Sequence, residues 1–362
     1  MKLMYKFAKF PRNKKLLTHI NLAALEVFDT LRIVDVNSLP ISDYNKRYLL
    51  RYQNKLRTHL QRLTFLLAWG LDNTKKPLSE TILIDYGGGS GLLTLLAKAC
   101  GVGTVIYNDI YDVSCVDAEI VGKKLGFQAD HYIPGNIDTL DEYLKTNSLV
   151  CDVLVSCDVL EHIYDLNEFF QSLHNLSEEN FSYVISTHAN PLNPIINRTL
   201  MKQQNRAELH DREADYGHKD RDSLLSFLKV RKDIITDNFS AQLNKHDIDQ
   251  LASNTRGLKE SDILAAGQNY IKTGKMPTAP SHPTNTCDPY TGNMADRLTS
   301  PFEIRDKMER AGFSSQVLSC YHGNPDNWAK NILAMKLDIL INVLGNQGLR
   351  LASYFMLYGG KK

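Results

Sequence analysis

Residues 82–91, Ile-Leu-Ile-Asp-Tyr-Gly-Gly-Gly-Ser-Gly, constrain this chain more than any other stretch. Three apolar residues, Ile82, Leu83 and Ile84, run into Asp85, and glycines then stand at 87, 89 and 91. Past Gly91 the pattern switches at once to Leu92-Leu93-Thr94-Leu95-Leu96-Ala97-Lys98-Ala99, apolar and rich in helix formers. The pattern predicts a buried strand, a glycine turn and a helix start. Glycine supplies backbone angles that side chains forbid and lets a ligand lie against the main chain. The amides of the helix's first turn add a positively biased rim. Such a turn suits a nucleotide-type cofactor.

The spacing decides which one. A dinucleotide loop reads G-x-G-x-x-G and grips a pyrophosphate. Here Gly87-x-Gly89 would need a third glycine at position 92, which is Leu92, and no G-K-[ST] follows as a Walker loop requires. The motif is D-x-G-x-G-x-G, whose strand-end carboxylate, Asp85, is poor company for a pyrophosphate and suits a cationic amino-acid moiety. About twenty residues on, Thr104-Val105-Ile106-Tyr107-Asn108-Asp109 reads as a second strand ending in an acid, placed to hold two ribose hydroxyls. A third strand near His131-Tyr132-Ile133 ends in Gly135-Asn136-Ile137-Asp138. A fourth, Cys151 to Cys157, runs into Asp158-Val159-Leu160-Glu161-His162.

In this order the features resemble the class I S-adenosylmethionine-dependent methyltransferases. The run from Asp158 through Asp165 to Phe169 is similar to the post-strand motif of the subgroup that includes the ubiquinone-biosynthesis O-methyltransferases. The resemblance covers about residues 80–190 and resumes near 300. It implies an α/β fold, a Rossmann-like seven-stranded sheet with helices on both faces, and S-adenosylmethionine as cofactor. The implied cofactor set is Asp85, Tyr86, Gly87, Gly88, Gly89, Gly91, Asp109, Ile110, Asn136, Ile137 and Asp158, with Asn136 and Ile137 beside the adenine.

Composition sets the outer limits. The 362 residues give room for one large domain or two small ones, and a formal net charge of +1 provides no field to gather nucleic acid. Six cysteines without a C-x-x-C pair read as reduced thiols. No apolar run approaches a membrane span, and the basic N-terminus lacks a signal peptide's apolar segment. The expectation is a cytoplasmic protein that acts on a small-molecule acceptor without nucleic acid or membrane.

Four segments follow: a helical leader over 1–79, the cofactor core over 80–190, an inserted helical cap over 191–298, and completion of the core over 299–362. The basic residues of 1–15 read as a solvated tail. Apolar spacings of three and four predict one long helix from Asp43 to Trp69, with Lys46, Arg47, Arg51, Lys55 and Arg62 on other faces. Phe181 to Thr187 is the fifth strand. The hundred residues after Asn190 exceed any ordinary connection and read as a substrate-binding cap. Ser300-Pro301-Phe302-Glu303 reads as a capping box. Ser315–Tyr321 and Leu351–Leu357 read as the last strands, with a helix from Trp328 to Val343 whose apolar surface suits core or homodimer.

Ligands of open α/β sheets lie beyond the carboxyl ends of the strands, which gathers His162, Thr187, His188 and Asn190. The expected chemistry is methylation of a hydroxyl on a small metabolite or sugar-like acceptor, assisted by a general base. His188 is the first candidate by its strand end, and His162 the second because the resembled motif faces the methyl donor. His210 is the third, from the cap run His210 to His218, whose spacing matches no metal motif, so no metal site is assigned. Tyr290 and Asn293 are placed at the substrate mouth. N- or C-methylation, and a catalytically silent S-adenosylmethionine-binding scaffold, stay open. A nicotinamide dehydrogenase is disfavoured by Leu92 and Asp85.

Overall fold

The structure is a computed structural model and describes residues 13–212, 219, 222–281, 285–320 and 328–362. Asn13 caps the first helix by accepting from the Lys15 and Leu16 amides, and α1 (Lys14–Leu31) buries Leu16, Ile20, Ala23, Ala24, Val27 and Leu31. Lys14 and Lys15 therefore open a packed helix; the rest of the basic stretch lies outside the described residues. The expected long helix is two: α2 (Asp43–Asn54) and α3 (Leu56–Asp72), broken at Lys55, whose backbone leaves the helical region at φ −134° and ψ 35°. Periodicity continues across the break because each helix keeps its own apolar face inward.

The core then alternates: β1 (Ile82–Tyr86), α4 (Leu92–Ala99), β2 (Thr104–Asp109), α5 (Asp112–Leu125), β3 (His131–Pro134), α6 (Ile137–Thr146), β4 (Val153–Cys157), α7 (Leu166–Leu176) and β5 (Ser182–Thr187). Next come α8 (Pro194–Leu209), α9 (Phe227–Phe239), α10 (Lys245–Asn254) and α11 (Glu260–Thr273). The chain finishes with α12 (Pro301–Arg310), β6 (Phe313–Ser319), α13 (Trp328–Val343) and β7 (Phe355–Lys361). Ser300 caps α12 with Pro301 first, but its hydroxyl makes no capping bond. The closing strand starts at Phe355 and not at Leu351, because a 3-10 turn occupies Gly345–Arg350.

All seven strands form one sheet in the order β3-β2-β1-β4-β5-β7-β6. The first five are parallel, which requires crossover helices; β7 runs antiparallel between β5 and β6. The turns leaving β1, β2, β4 and β5 thus emerge at the same edge. Their apolar residues, such as Leu83, Val105, Val153 and Val184, are completely buried with the leader's Leu60, Leu66 and Leu67. Gly70 sets how closely α3 lies on the sheet, since a Cβ there would stand 3.0 Å from Val153 Cγ1 and 3.3 Å from Val155 Cγ2.

The chain separates into two units: residues 1–160, 166–193 and 300–362, which hold the sheet, and residues 161–165 with 194–299. The second unit has its own core of Val230, Ile234, Ile235, Leu251 and Ile263. Within it Arg231 is fully buried and pairs in a fork with Glu208; its Nε also donates to the Ala252 carbonyl at 2.8 Å. The Thr286 hydroxyl donates to the same Glu208 carboxylate at 2.7 Å. No helix among the described residues is long and apolar enough to cross a membrane. Ile332, Leu333, Ile339 and Val343 of α13 are exposed.

Candidate active site

The turn after β1 is built from short-range constraints. The Gly87 and Gly88 amides both donate to the Asn108 carbonyl at 2.9 Å, and the Gly91 amide donates to the Gly88 carbonyl at 2.9 Å. Gly87 has φ +70°, and a Cβ on it would come within 2.3 Å of Val159 Cγ2. Gly89 has φ +54°, yet a Cβ on it would meet nothing within 4 Å. Packing therefore demands the first glycine, while the second faces open space and presents bare main chain. Gly88 lies against the Tyr107 ring, whose hydroxyl donates to the Gly89 carbonyl, and Gly91 is the N-cap of α4.

Asp85 and Asp109 brace this turn from two sides. Asp85 is buried, and its Oδ2 accepts from the Thr94 amide at 3.0 Å and the Thr94 hydroxyl at 2.7 Å, which satisfies an open amide in the first turn of α4. Burial raises its pKa to about 7 against the opposing Thr94 hydrogen bonds. Asp109 ends β2, with Oδ2 accepting from the Gly89 amide at 3.0 Å and Oδ1 from the Tyr111 amide at 2.9 Å. The acid at the second strand end is thus fixed beside the open glycine. Its neighbour Ile110 is half exposed at the same edge, an apolar surface for a flat ring. Asn136 caps α6 by accepting from the Thr139 amide at 3.1 Å; Ile137 is buried in the core. Tyr86 is also buried, with its ring 5.4 Å from Phe169. The open space at Gly89, bordered by Asp109 and Ile110, fits an adenosyl group whose ribose meets a carboxylate.

Leaving β4, Asp158 takes φ +58°, a strained conformation for a residue with a side chain. Its carboxylate receives a fork from Arg62 of α3, Nη1 to Oδ2 at 2.5 Å and Nη2 to Oδ1 at 2.7 Å. Oδ1 also accepts from the His188 amide at 3.0 Å and lies 3.2 Å from His188 Nδ1. Burial pushes the Asp158 carboxyl up, but the Arg62 charge and the His188 and Arg62 hydrogen bonds outweigh it and hold the group well below the usual carboxylate range. Arg62 is correspondingly held charged. Val159, next in chain, is the residue that abuts Gly87, so this charged group adjoins the glycine turn.

His188 is thereby aimed: a proton on Nδ1 shared with Asp158 puts the lone pair on Nε2. Thr187 and Asn190 do not face the site. The Thr187 hydroxyl accepts from the Ala189 amide, and Asn190 is fully buried with its amide group donating to the Leu349 and Ala352 carbonyls at 2.8 and 2.9 Å. His162 belongs to the second unit, where Nδ1 lies 2.9 Å from the Met294 carbonyl and Nε2 lies 3.8 Å from Asp296. His210 is exposed after α8 in that unit, and its neighbour Asp211 accepts from the Ser226 amide at the start of α9. Residues 213–218 of the same run, His218 included, lie outside the described residues. Tyr290 is exposed on a turn whose amides donate to Asp288, and the Asn293 carbonyl accepts from the Asp288 amide. Arg62 escaped the sequence reading because its partner is 96 positions away; the one signal was a basic residue on a helix otherwise packed on the core.

A family model described as a methyltransferase domain matches residues 49–227. Ubiquinone biosynthesis O-methyltransferase, mitochondrial, of Bos taurus is 30% identical over 138 residues, 38% of this chain and 37% of that one. Its Rattus norvegicus counterpart is 27% identical over 140 residues, 38% of this chain and 39% of the other. The chain thus spans little more than a third of the length of these relatives. A solved S-adenosylmethionine-dependent methyltransferase from Mesorhizobium loti covers 79% of this chain and 94% of its own at 14% identity, with a TM-score of 0.39. The matched residues carry the leader helix α3, strands β1 to β5 and the glycine turn, so the part of the chain that forms the parallel half of the sheet is similar to a methyltransferase domain.

Proposed function

We infer that this protein transfers a methyl group from S-adenosylmethionine to a hydroxyl of a small acceptor, with His188 as the general base. One observation carries the reading. The open main chain at Gly89, beside Asp109, shares its sheet edge with an imidazole whose Nδ1 is held by a carboxylate. When bound, the cofactor's sulfonium supplies an electrophilic methyl group, so no activation of the donor is asked of the protein. Asp109 would hold the ribose hydroxyls, Gly89 would admit the nucleoside against the backbone, and Ile110 would cover the adenine.

An alcohol or phenol must shed its proton as the new bond forms. His188 Nε2 takes that proton, and Asp158 stabilises the imidazolium. Orientation of the acceptor can supply about 7–11 kcal/mol, and a base typically adds about 10²–10⁴-fold. Loss of His188 should therefore lower turnover without abolishing it. The O-methyltransferase activity for which the two mammalian relatives are named agrees with a hydroxyl acceptor.

The test is calorimetric titration with S-adenosylhomocysteine and NAD side by side, then a screen of hydroxylated metabolites with methyl-labelled cofactor. Binding of adenosylhomocysteine and base-dependent label transfer to oxygen are expected. Tighter binding of NAD would end the reading. Transfer to nitrogen or carbon would replace the acceptor assignment, and cofactor binding with no transfer to any acceptor would favour a silent scaffold.

A further inference from the structure

We propose that Arg62, on the leader helix α3, is a positioning residue for the acceptor chemistry: it locks the Asp158 carboxylate that aims His188, making the leader a working part of the catalytic centre. The proposal rests on reading His188 as the base.

The geometry is over-determined in a way a surface ion pair is not. Both guanidinium nitrogens of Arg62 engage both oxygens of Asp158, and Nη2 also donates to the Ser186 hydroxyl of β5 at 3.0 Å. The guanidinium lies over the Tyr354 ring, 4.4 Å from its centroid. A planar fork seated on an aromatic face has one orientation, which lysine cannot reproduce. The Arg62 side chain is only 17% exposed, so water screens the pair weakly.

The sheet contact at Gly70 fixes the height of the fork. From Gly70, which packs on Val153 near the start of β4, eight residues of helix lead back to Arg62, a rise of about 12 Å. Five residues of strand lead from Val153 to Asp158, about 16 Å. Helix and strand therefore run in opposite directions and meet at the carboxyl edge. Asp158 has a positive φ there, and a residue so strained stays in place only if its surroundings hold it.

The charge balance has a chemical consequence. Asp158 alone beside His188 would favour imidazolium, which cannot accept a proton; Arg62 offsets that negative charge and keeps the ring ready as a base. Groups of the same unit that face this pair include Cys157, together with Cys320 and Tyr354, whose burial keeps these last two neutral, and His59 with the nearby Arg51 and Lys55. Burial and the cations Arg51, Arg62 and Lys55 depress His59 to about 4, so it too is neutral near pH 7.

The experiment follows the His188 ring by NMR in the full chain, comparing wild type, Arg62→Met, Arg62→Lys and Asp158→Asn. The Met variant should move the His188 titration midpoint upward by about one pH unit. Asp158→Asn should lower the midpoint. The Lys variant retains the charge and should change the midpoint less, while its ring nitrogen shifts show mixed tautomers because the fork is gone. If Arg62→Met fails to fold, the Lys variant decides: an unchanged tautomer signature there overturns the proposal. An unmoved midpoint in a folded Met variant does the same. Adenosylhomocysteine binding is measured on the same samples, and its absence in wild type would end the methyltransferase reading while leaving the Arg62 result to stand or fall by itself.

Discussion

Two glycines two positions apart in the same turn should fail differently when given a side chain. Gly87→Ala and Gly89→Ala both force a left-handed conformation, φ +70° and +54°, at a cost of roughly 1–2 kcal/mol. Alanine recovers about 0.4–1 kcal/mol by restricting the unfolded chain. At Gly89 no other cost arises, because the new Cβ meets nothing within 4 Å, so the net loss of stability should be about 1 kcal/mol. At Gly87 the Cβ would stand 2.3 Å from Val159 Cγ2 and 3.0 Å from Cγ1, an overpacking that adds about 1–3 kcal/mol. Gly87→Ala should therefore lose about 2–4 kcal/mol in urea unfolding followed by circular dichroism. Val159→Ala in the same chain should restore part of that loss, since the two sites share the clash. Ligand binding should rank the pair the other way for its size of structural damage. A methyl group at Gly89 fills the space assigned to the cofactor, and a similar steric cost of about 1–3 kcal/mol weakens adenosylhomocysteine roughly 5- to 150-fold. Equal destabilisation by the two variants, or wild-type adenosylhomocysteine affinity in Gly89→Ala, would refute the division between a packing glycine and a binding glycine.

Three further outcomes are expected. Asp109→Asn removes a charged acceptor worth about 1.5–3 kcal/mol per hydrogen bond, so calorimetry should find adenosylhomocysteine bound at least tenfold more weakly, and unchanged affinity would remove Asp109 from the ribose site. Asp85 has a folded pKa near 7, above the unfolded carboxylate value of about 4, so the folded state binds more protons between those limits. This group's contribution is most favourable below pH 4 and is lost as the pH rises to 7; the pH slope of wild-type stability in that window should flatten in Asp85→Asn. Arg231→Met takes the fork away from the buried Glu208 charge, leaving it the Thr286 hydroxyl and Arg256 at 4.0 Å, and should destabilise the chain by up to about 3–5 kcal/mol in denaturant. Pairing it with Glu208→Leu should recover most of that loss, and a double variant no better than the single would show that the two charges are not coupled.

What the sequence decided by itself was local. Apolar Ile82 to Ile84, three spaced glycines and the leucine-rich run after them dictate strand, turn and helix, because the necessary backbone angles and burial come from neighbours in the chain. The alternation to Thr187 likewise dictates a parallel sheet with crossovers. Periodicity could not reveal the break at Lys55, since both helices keep their apolar faces in phase, nor the late start of β7, since Leu351 and Ala352 are apolar but occupy the turn before it. Tertiary structure alone decided which histidine is aimed, because that depends on charges remote in sequence. His188 gains its partner from 30 positions upstream and Asp158 its counter-ion from 96, and only the packing of α3 through Gly70 brings them together. Asn190, two residues from His188 and equally polar, was drawn instead to the carbonyls of Leu349 and Ala352. A sequence shows which residues are able to do chemistry; long-range packing chooses among them, since a hydrogen bond depends on position in space and is indifferent to distance along the chain.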